Sequence, residues 1–140
     1  MIFNHLMEVY LMIWLSAALH ELAHYFVAKM IKLEVLSVHI GDELFSVHIG
    51  KVYISFMLRI CSCVEFYADE MKEKSRWQRA VFFLSGPAMN LMISAIAAPF
   101  SSNLYMKYLL WINLLLFAVN AFPWILKQND MGKARLYLKK

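Results

Sequence analysis

Three long apolar runs constrain this chain more than any other feature of its sequence. They are Val9–Ile31, Ala80–Pro99 and Leu104–Phe122. A run of about 20 apolar residues is long enough to cross a membrane as a helix. The chain is 61% hydrophobic and only 17% charged, against about 25% charged in an average soluble domain. We therefore expect a membrane protein of mainly α class, with three transmembrane helices in a single domain over residues 1–140.

The basic residues predict the orientation of these helices. Except for Lys107, all of the 14 Lys and Arg residues lie at or between the facing ends of the first two runs, or after the third run. Because basic loops stay in the cytoplasm, we expect a protein of the bacterial cell membrane with its N-terminus outside and its C-terminal tail, residues 123–140, in the cytoplasm. The net charge of +4 then reflects topology, so the expected partner is the lipid bilayer and not nucleic acid. Met1–Glu8 has no Lys or Arg, which argues against a cleaved signal peptide.

The segment between the first two runs, residues 33–66, has the period of β-strands. Two sets of apolar residues alternate there with polar ones: Leu36, Val38 and Ile40, and then Phe45, Val47 and Ile49. Turn signals fall at Gly41-Asp42 and Gly50-Lys51. We expect a small antiparallel β-sheet between the first and second transmembrane helices, arranged as a meander of three or four short strands. Residues 67–79 form a charged linker to the second helix.

The sequence His20-Glu21-Leu22-Ala23-His24 lies inside the first apolar run. On a helix, positions four apart share one face, so both imidazoles can bind one metal ion. Glu21 is placed to deprotonate a water molecule, as in zinc-dependent proteases. Three ionisable groups in a membrane helix cost several kcal/mol unless a function retains them. The pattern predicts a catalytic Zn²⁺ site with Glu21 as the catalytic residue.

A catalytic zinc site normally has three protein ligands, and the sequence leaves the third one open. The candidates are His5, His39, His48, Cys61, Cys63, Asp42, Asp69 and Asp130. The topology places His5 outside, and Cys61 and Cys63 lack the usual zinc spacing. Asp130 lies just past the third run, where the nearby Gly132 would let the chain bend back towards the metal.

Gly86, Pro87 and Asn90 form a second polar interruption, inside the second apolar run. Proline removes a backbone donor and kinks a helix, which leaves a carbonyl for another partner. Asn90, one turn later, could bind a substrate carbonyl or an oxyanion, or could make a hydrogen bond between helices. Asn120, in the third run, is expected to have a structural role near the site.

These motifs, in this order, resemble the site-2 proteases, which are intramembrane zinc metalloproteases. That family has HExxH in one core helix, Gly-Pro-x-x-Asn in the next, and an Asn/Pro-rich stretch ending in Asp-Gly in the third. The matching residues are His20, Glu21 and His24; Gly86, Pro87 and Asn90; and Asn120, Pro123 and Asp130. Here Met131 separates the aspartate from the glycine. The resemblance covers nearly the whole chain and implies His20, His24 and Asp130 as metal ligands.

The predicted function is an intramembrane zinc-dependent endopeptidase. Its expected partner is a membrane-embedded protein or peptide substrate, cut near the cytoplasmic face, and a regulatory membrane partner stays open. One alternative is a non-catalytic membrane binding or immunity protein with a degenerate metal motif, which zinc content would distinguish. A second is a soluble zinc protease with an apolar core, which alkaline carbonate would extract without detergent.

Overall fold

The structure is a computed structural model that describes residues 2–41, 46–55, 62–122 and 130–138. In chain order it contains α1 (Ile2–Met30), β1 (Val35–Ile40), β2 (Val47–Ile49), β3 (Val52–Ile54), β4 (Ser62–Phe66), α2 (Ala68–Glu73), α3 (Arg76–Ala97), α4 (Leu104–Ala121) and α5 (Asp130–Leu138). A 3₁₀ turn, Ala98–Phe100, follows α3. The predicted turn residue Asp42, the ligand candidate Cys61 and the motif residue Pro123 lie outside the described residues.

Three of the described helices are long and apolar enough to cross a membrane. The spans lie at His5–Met30, Arg76–Phe100 and Leu104–Ala121. This confirms the expected mainly helical class and the three helices that are long and apolar enough to span a membrane. The third span agrees closely with the third apolar run of the sequence. By contrast, α1 and α3 each begin before the apolar run that predicted them.

Local capping explains where the later helices begin. Ser75 and Gln78 form a capping box, in which each side chain accepts a hydrogen bond from the other residue's backbone N–H. The helix therefore begins at Arg76, inside the segment expected to be a linker. Asn103 caps α4 in a similar way, because its side chain accepts hydrogen bonds from the backbone N–H groups of Tyr105 and Met106.

The sheet is mixed, so the expectation of an antiparallel meander was wrong. The strand order is β2-β3-β1-β4, in which β1 pairs with β3 in parallel and with β4 in antiparallel. The hairpin between β2 and β3 turns at Gly50, which has a φ of 63°. All three residues of β2 are exposed, whereas Val52 of β3 packs on the hydrophobic core. With β3 beside β1, the strand that contributes to the hydrophobic core lies inside the sheet, and the exposed strand β2 lies at its edge.

A bulge in β1 changes which side chains face inward. The pairing shifts between Val35, opposite Phe66, and Ser37, opposite Glu65, so that Leu36 is the extra residue. Leu36 is consequently exposed, while Val35 is buried. The expected inward alternation therefore holds at Val38 and Ile40 and fails at Leu36.

Residues 130–138, expected to be part of a cytoplasmic tail, include the helix α5. Ala134 is buried, and Tyr137 and Leu138 pack against the core. Tyr137 stacks on Phe83 of α3, with 5.6 Å between ring centroids, and also contacts Phe66 of β4. We name Phe66, Phe82, Phe83 and Tyr137 the aromatic cluster. It fixes α5 against α3 and the sheet.

Candidate metal centre

His20 and His24 project from adjacent turns of α1 towards Asp130 at the start of α5. The Nε2 atom of His20 lies 2.9 Å from Oδ2 of Asp130, and the Nε2 atom of His24 lies 3.3 Å from the same oxygen. Both histidines are buried, and the carboxyl side chain is only 17% exposed. Within the described part of the chain, this is the group of ligand-type side chains that could hold a metal ion. Two imidazole nitrogens and one carboxylate oxygen form a donor set that Zn²⁺ accepts.

The ring of His24 is oriented as a metal ligand requires. Its Nδ1 atom lies 2.8 Å from the backbone carbonyl oxygen of Phe82, so that Nδ1–H donates there. The lone pair of Nε2 then points towards Asp130. This nitrogen is buried and has no hydrogen-bond partner. Ligating histidines commonly donate their other ring N–H to a carbonyl in this way, so the orphaned Nε2 fits a metal ion.

Gly86 leaves the space in which the two imidazoles converge. A Cβ atom at this position would lie 2.6 Å from Cε1 of His20 and closer still to Nε2 of both His20 and His24. Real Cβ atoms essentially never approach other atoms within 3.0 Å. A side chain at position 86 would therefore collide with both imidazoles. Its neighbour Pro87 is fully buried inside α3.

Asn90 contacts the metal centre from the side of α3. Its Nδ2 atom lies 2.9 Å from Nδ1 of His20, and the residue is fully buried. Glu21 is buried as well. Asn120 donates a hydrogen bond to the carbonyl of Leu116 within α4, and among the described residues we find no contact between it and the two histidines.

Asp130 carries a stabilised negative charge. Burial acts to raise the pKa of this carboxyl group, but the close contacts with the two imidazoles, first that of His20 and then that of His24, outweigh burial and hold the pKa well below its ordinary value. An ionised carboxylate is the form that binds a metal ion.

The other ligand candidates that the structure describes lie apart from this group. His5 contacts Glu8 near the start of α1, and Asp69 pairs with Lys72 on α2. His39 stacks on Tyr53 in the sheet. The remaining described candidates also lie on strands: His48 on β2 and Cys63 on β4.

Two side chains at the site, Ser85 and Ser16, were not predicted from the sequence. Ser85 donates a hydrogen bond to the carbonyl of Phe82 and lies 3.0 Å from His24 Nδ1. Ser16, one turn before His20 on α1, accepts a hydrogen bond from Asn113 of α4. Ser16 could have been found from its spacing of four residues before His20 on the same helical face.

The fold and the site together define an integral membrane protein with a candidate metal centre of two histidines and one aspartate. The model of peptidase family M50 matches residues 8–106. No curated protein matches the chain, and no solved structure matches it. Because the family match covers more than half of the sequence, the chain belongs to peptidase family M50, the site-2 protease family. The match includes His20, His24 and Asn90 and ends before Asp130.

Proposed function

We propose that this protein is an intramembrane zinc-dependent endopeptidase. Its substrate would be a membrane-anchored protein or a peptide precursor, cut near the cytoplasmic face. The observation that carries this proposal is the convergence of His20 and His24, on a helix that can span a membrane, with Asp130 at the start of α5. Membership of a metallopeptidase family supports it.

Each side chain of the centre has a role that follows from its position. His20, His24 and Asp130 would hold the metal, and zinc bound there would supply Lewis-acid activation of water and of the peptide carbonyl. Glu21 follows the first ligand directly and is buried. Its carboxylate would accept the proton of the attacking water and pass it to the leaving amine.

Asn90 is assigned a positioning role in this proposal. Its side chain is fully buried and its amide group contacts Nδ1 of His20. A group on the second nitrogen of a ligating imidazole fixes the orientation of the ring. This contact supports a role for Asn90 in orienting the ring of His20, in preference to the direct binding of a substrate carbonyl or oxyanion.

The proposed topology puts the centre close to the cytoplasmic face. Lys29 lies in the last turn of α1, and the basic loop that follows stays in the cytoplasm under the positive-inside rule. The distance along the helix from His24 to Met30 is about 9 Å, at 1.5 Å per residue. Water could therefore reach the centre from the cytoplasmic side by a short path.

The variant Glu21→Gln tests the proposed chemistry. Candidate substrates, namely short membrane-anchored proteins and peptide precursors, are co-expressed with the wild type or with the variant, and cleavage is followed by mass spectrometry. Glu8→Gln is the matched control, because it makes the same chemical change near the exposed start of the same helix. Loss of a general base typically lowers the rate by about 10²–10⁴-fold.

We expect cleavage by the wild type and by Glu8→Gln, and none detectable with Glu21→Gln. Cleavage at the wild-type level by Glu21→Gln would contradict the proposed mechanism. Zinc content separates the enzyme from a non-catalytic membrane binding protein. His24→Ala should lose zinc and His5→Ala should retain it, whereas a wild type without zinc would favour the binding protein.

A further inference from the structure

Among the residues that the structure describes, two buried side-chain amide oxygens on the membrane-spanning helices have no hydrogen bond. They are Oδ1 of Asn90 on α3 and Oδ1 of Asn113 on α4. Both residues are fully buried. An unpaired polar atom in an apolar interior is costly, so the cases that persist need an explanation.

The tautomer of His20 depends on which end of the Asn90 amide faces it. In the described orientation, Nδ2 of Asn90 donates to Nδ1 of His20. The proton of the ring then sits on Nε2, which faces Asp130. A metal ion needs the lone pair of Nε2, so the proton must move to Nδ1. Rotating the amide by about 180° presents Oδ1 as the acceptor for this Nδ1–H.

The rotated amide group would point its Nδ2 donor away from His20, so this donor would need another acceptor. Oδ1 of Asn113 can supply that acceptor. Ser94, one turn after Asn90, lies 3.3 Å from the carbonyl oxygen of Leu110 on α4. A short turn joins α3 to α4, so the two helices run in opposite directions. The position one turn before Ser94 on α3 therefore lies opposite the position one turn after Leu110 on α4. These two positions are Asn90 and Asn113, so we infer that the two side chains are neighbours.

The donor end of Asn113 is already fixed. Its Nδ2 atom lies 3.0 Å from Oγ of Ser16 on α1 and 2.9 Å from the carbonyl oxygen of Leu109. With both hydrogens of the amide engaged, Oδ1 is the end that remains to accept a hydrogen bond. The side chain is thus held in one orientation by the same helix that carries His20.

We propose that Asn113, held by Ser16, is a positioning residue for the metal centre. It accepts a hydrogen bond from Nδ2 of Asn90, directly or through one water molecule, and so keeps Oδ1 of Asn90 on Nδ1 of His20. The inference rests on the proposed function, because it concerns the state in which zinc is bound. It connects α4, which provides no metal ligand, to the centre on α1.

A double-mutant cycle on zinc affinity tests this inference. The full-length protein in detergent is titrated with Zn²⁺ against a chromophoric chelator, as the wild type, Asn90→Ala, Asn113→Leu and the double variant. Changes to partners of metal-ligating histidines typically weaken affinity by about 10–100-fold. We expect Asn90→Ala to weaken zinc binding by that amount and Asn113→Leu by about tenfold.

The double variant is the decisive sample, because Asn113 acts through Asn90. It should bind zinc no more weakly than Asn90→Ala alone, which is the signature of coupled residues. Wild-type affinity in Asn113→Leu would overturn the inference, and so would strictly multiplicative effects in the double variant. Ser16→Ala provides a milder test if Asn113→Leu fails to fold, and it too should weaken binding.

Asn103→Ala separates a positioning role from a structural one. It removes the cap of the same helix and should lower thermal stability without changing zinc affinity. A wild type that binds no zinc would overturn the proposed function together with this inference. Normal zinc binding and cleavage by Asn113→Leu and by Ser16→Ala would overturn the inference alone.

Discussion

Replacing Gly86 with alanine should weaken metal binding although none of the metal ligands is substituted. The added methyl carbon would lie 2.6 Å from Cε1 of His20, whereas ordinary contact begins at 3.4 Å. The ring would have to withdraw by about 0.8 Å, several times the ±0.2 Å within which metal–ligand distances are held. A bound ion would require both rings to stay converged, whereas no ion imposes that position on the metal-free protein, so we expect the cost to fall mainly on the metal-bound state.

The size of the effect follows from the energetics of overpacking. Forcing one extra carbon into a packed interior costs about 1–3 kcal/mol. If that cost applies only to the metal-bound state, zinc affinity falls by about 5- to 150-fold. Competition with a chromophoric chelator measures this range directly, and thermal unfolding in detergent reports whether the variant remains folded.

Gly50→Ala is the matched control for this experiment. It adds the same methyl group at a turn where nothing lies within 4 Å, although its φ of +63° makes the change strained. We expect lower stability with unchanged zinc affinity. Wild-type zinc affinity in a folded Gly86→Ala protein would refute the argument that the two imidazoles converge at this glycine.

Three further predictions concern α5, the sheet and acidic pH. Tyr137→Ala should cost about 2 kcal/mol of stability, less than the 3–5 kcal/mol of a fully buried aromatic residue, and should weaken zinc binding. Leu136→Ala on the same helix, where the side chain is 70% exposed, should do neither. Trp14→Phe removes the 2.7 Å hydrogen bond to the carbonyl of Ser55 and should lower thermal stability by about 1 kcal/mol. The pKa of Asp130 is lower in the folded protein, so metal-free protein should lose stability as the pH falls below about 4, and Asp130→Asn should flatten that loss in thermal melts.

The part of the site that sequence could predict is the part that depends on local geometry. His20 and His24 lie on one face because four residues make about one helical turn, and the structure confirms that both are buried on α1. Asp130 is different, because it is separated from His20 by 110 positions. Its approach depends on Ala134 and Tyr137, which pack α5 against α3 and the sheet, and that packing has no local signal beyond their helical spacing.

The sheet shows the same division between local and non-local information. Alternating apolar residues predicted strands over Leu36–Ile40 and Phe45–Ile49, and the described residues contain strands at Val35–Ile40 and Val47–Ile49. Alternation says nothing about which strands become neighbours, so β3 could take the place expected for β2. Likewise, a one-residue bulge at Leu36 changes the face of the strand, and no pattern in the apolar residues marked it.

X-ray absorption spectroscopy of the purified, zinc-loaded protein tests the central claim most directly. Imidazole nitrogen ligands lie at about 2.0–2.1 Å, carboxylate oxygen at about 2.0–2.2 Å and cysteine sulfur at about 2.3 Å from zinc. We expect a zinc centre that has two imidazole ligands and oxygen ligands but no sulfur ligand. This centre should lose one imidazole in His24→Ala. A sulfur shell, or a spectrum unchanged by His24→Ala and by Asp130→Ala, would contradict it.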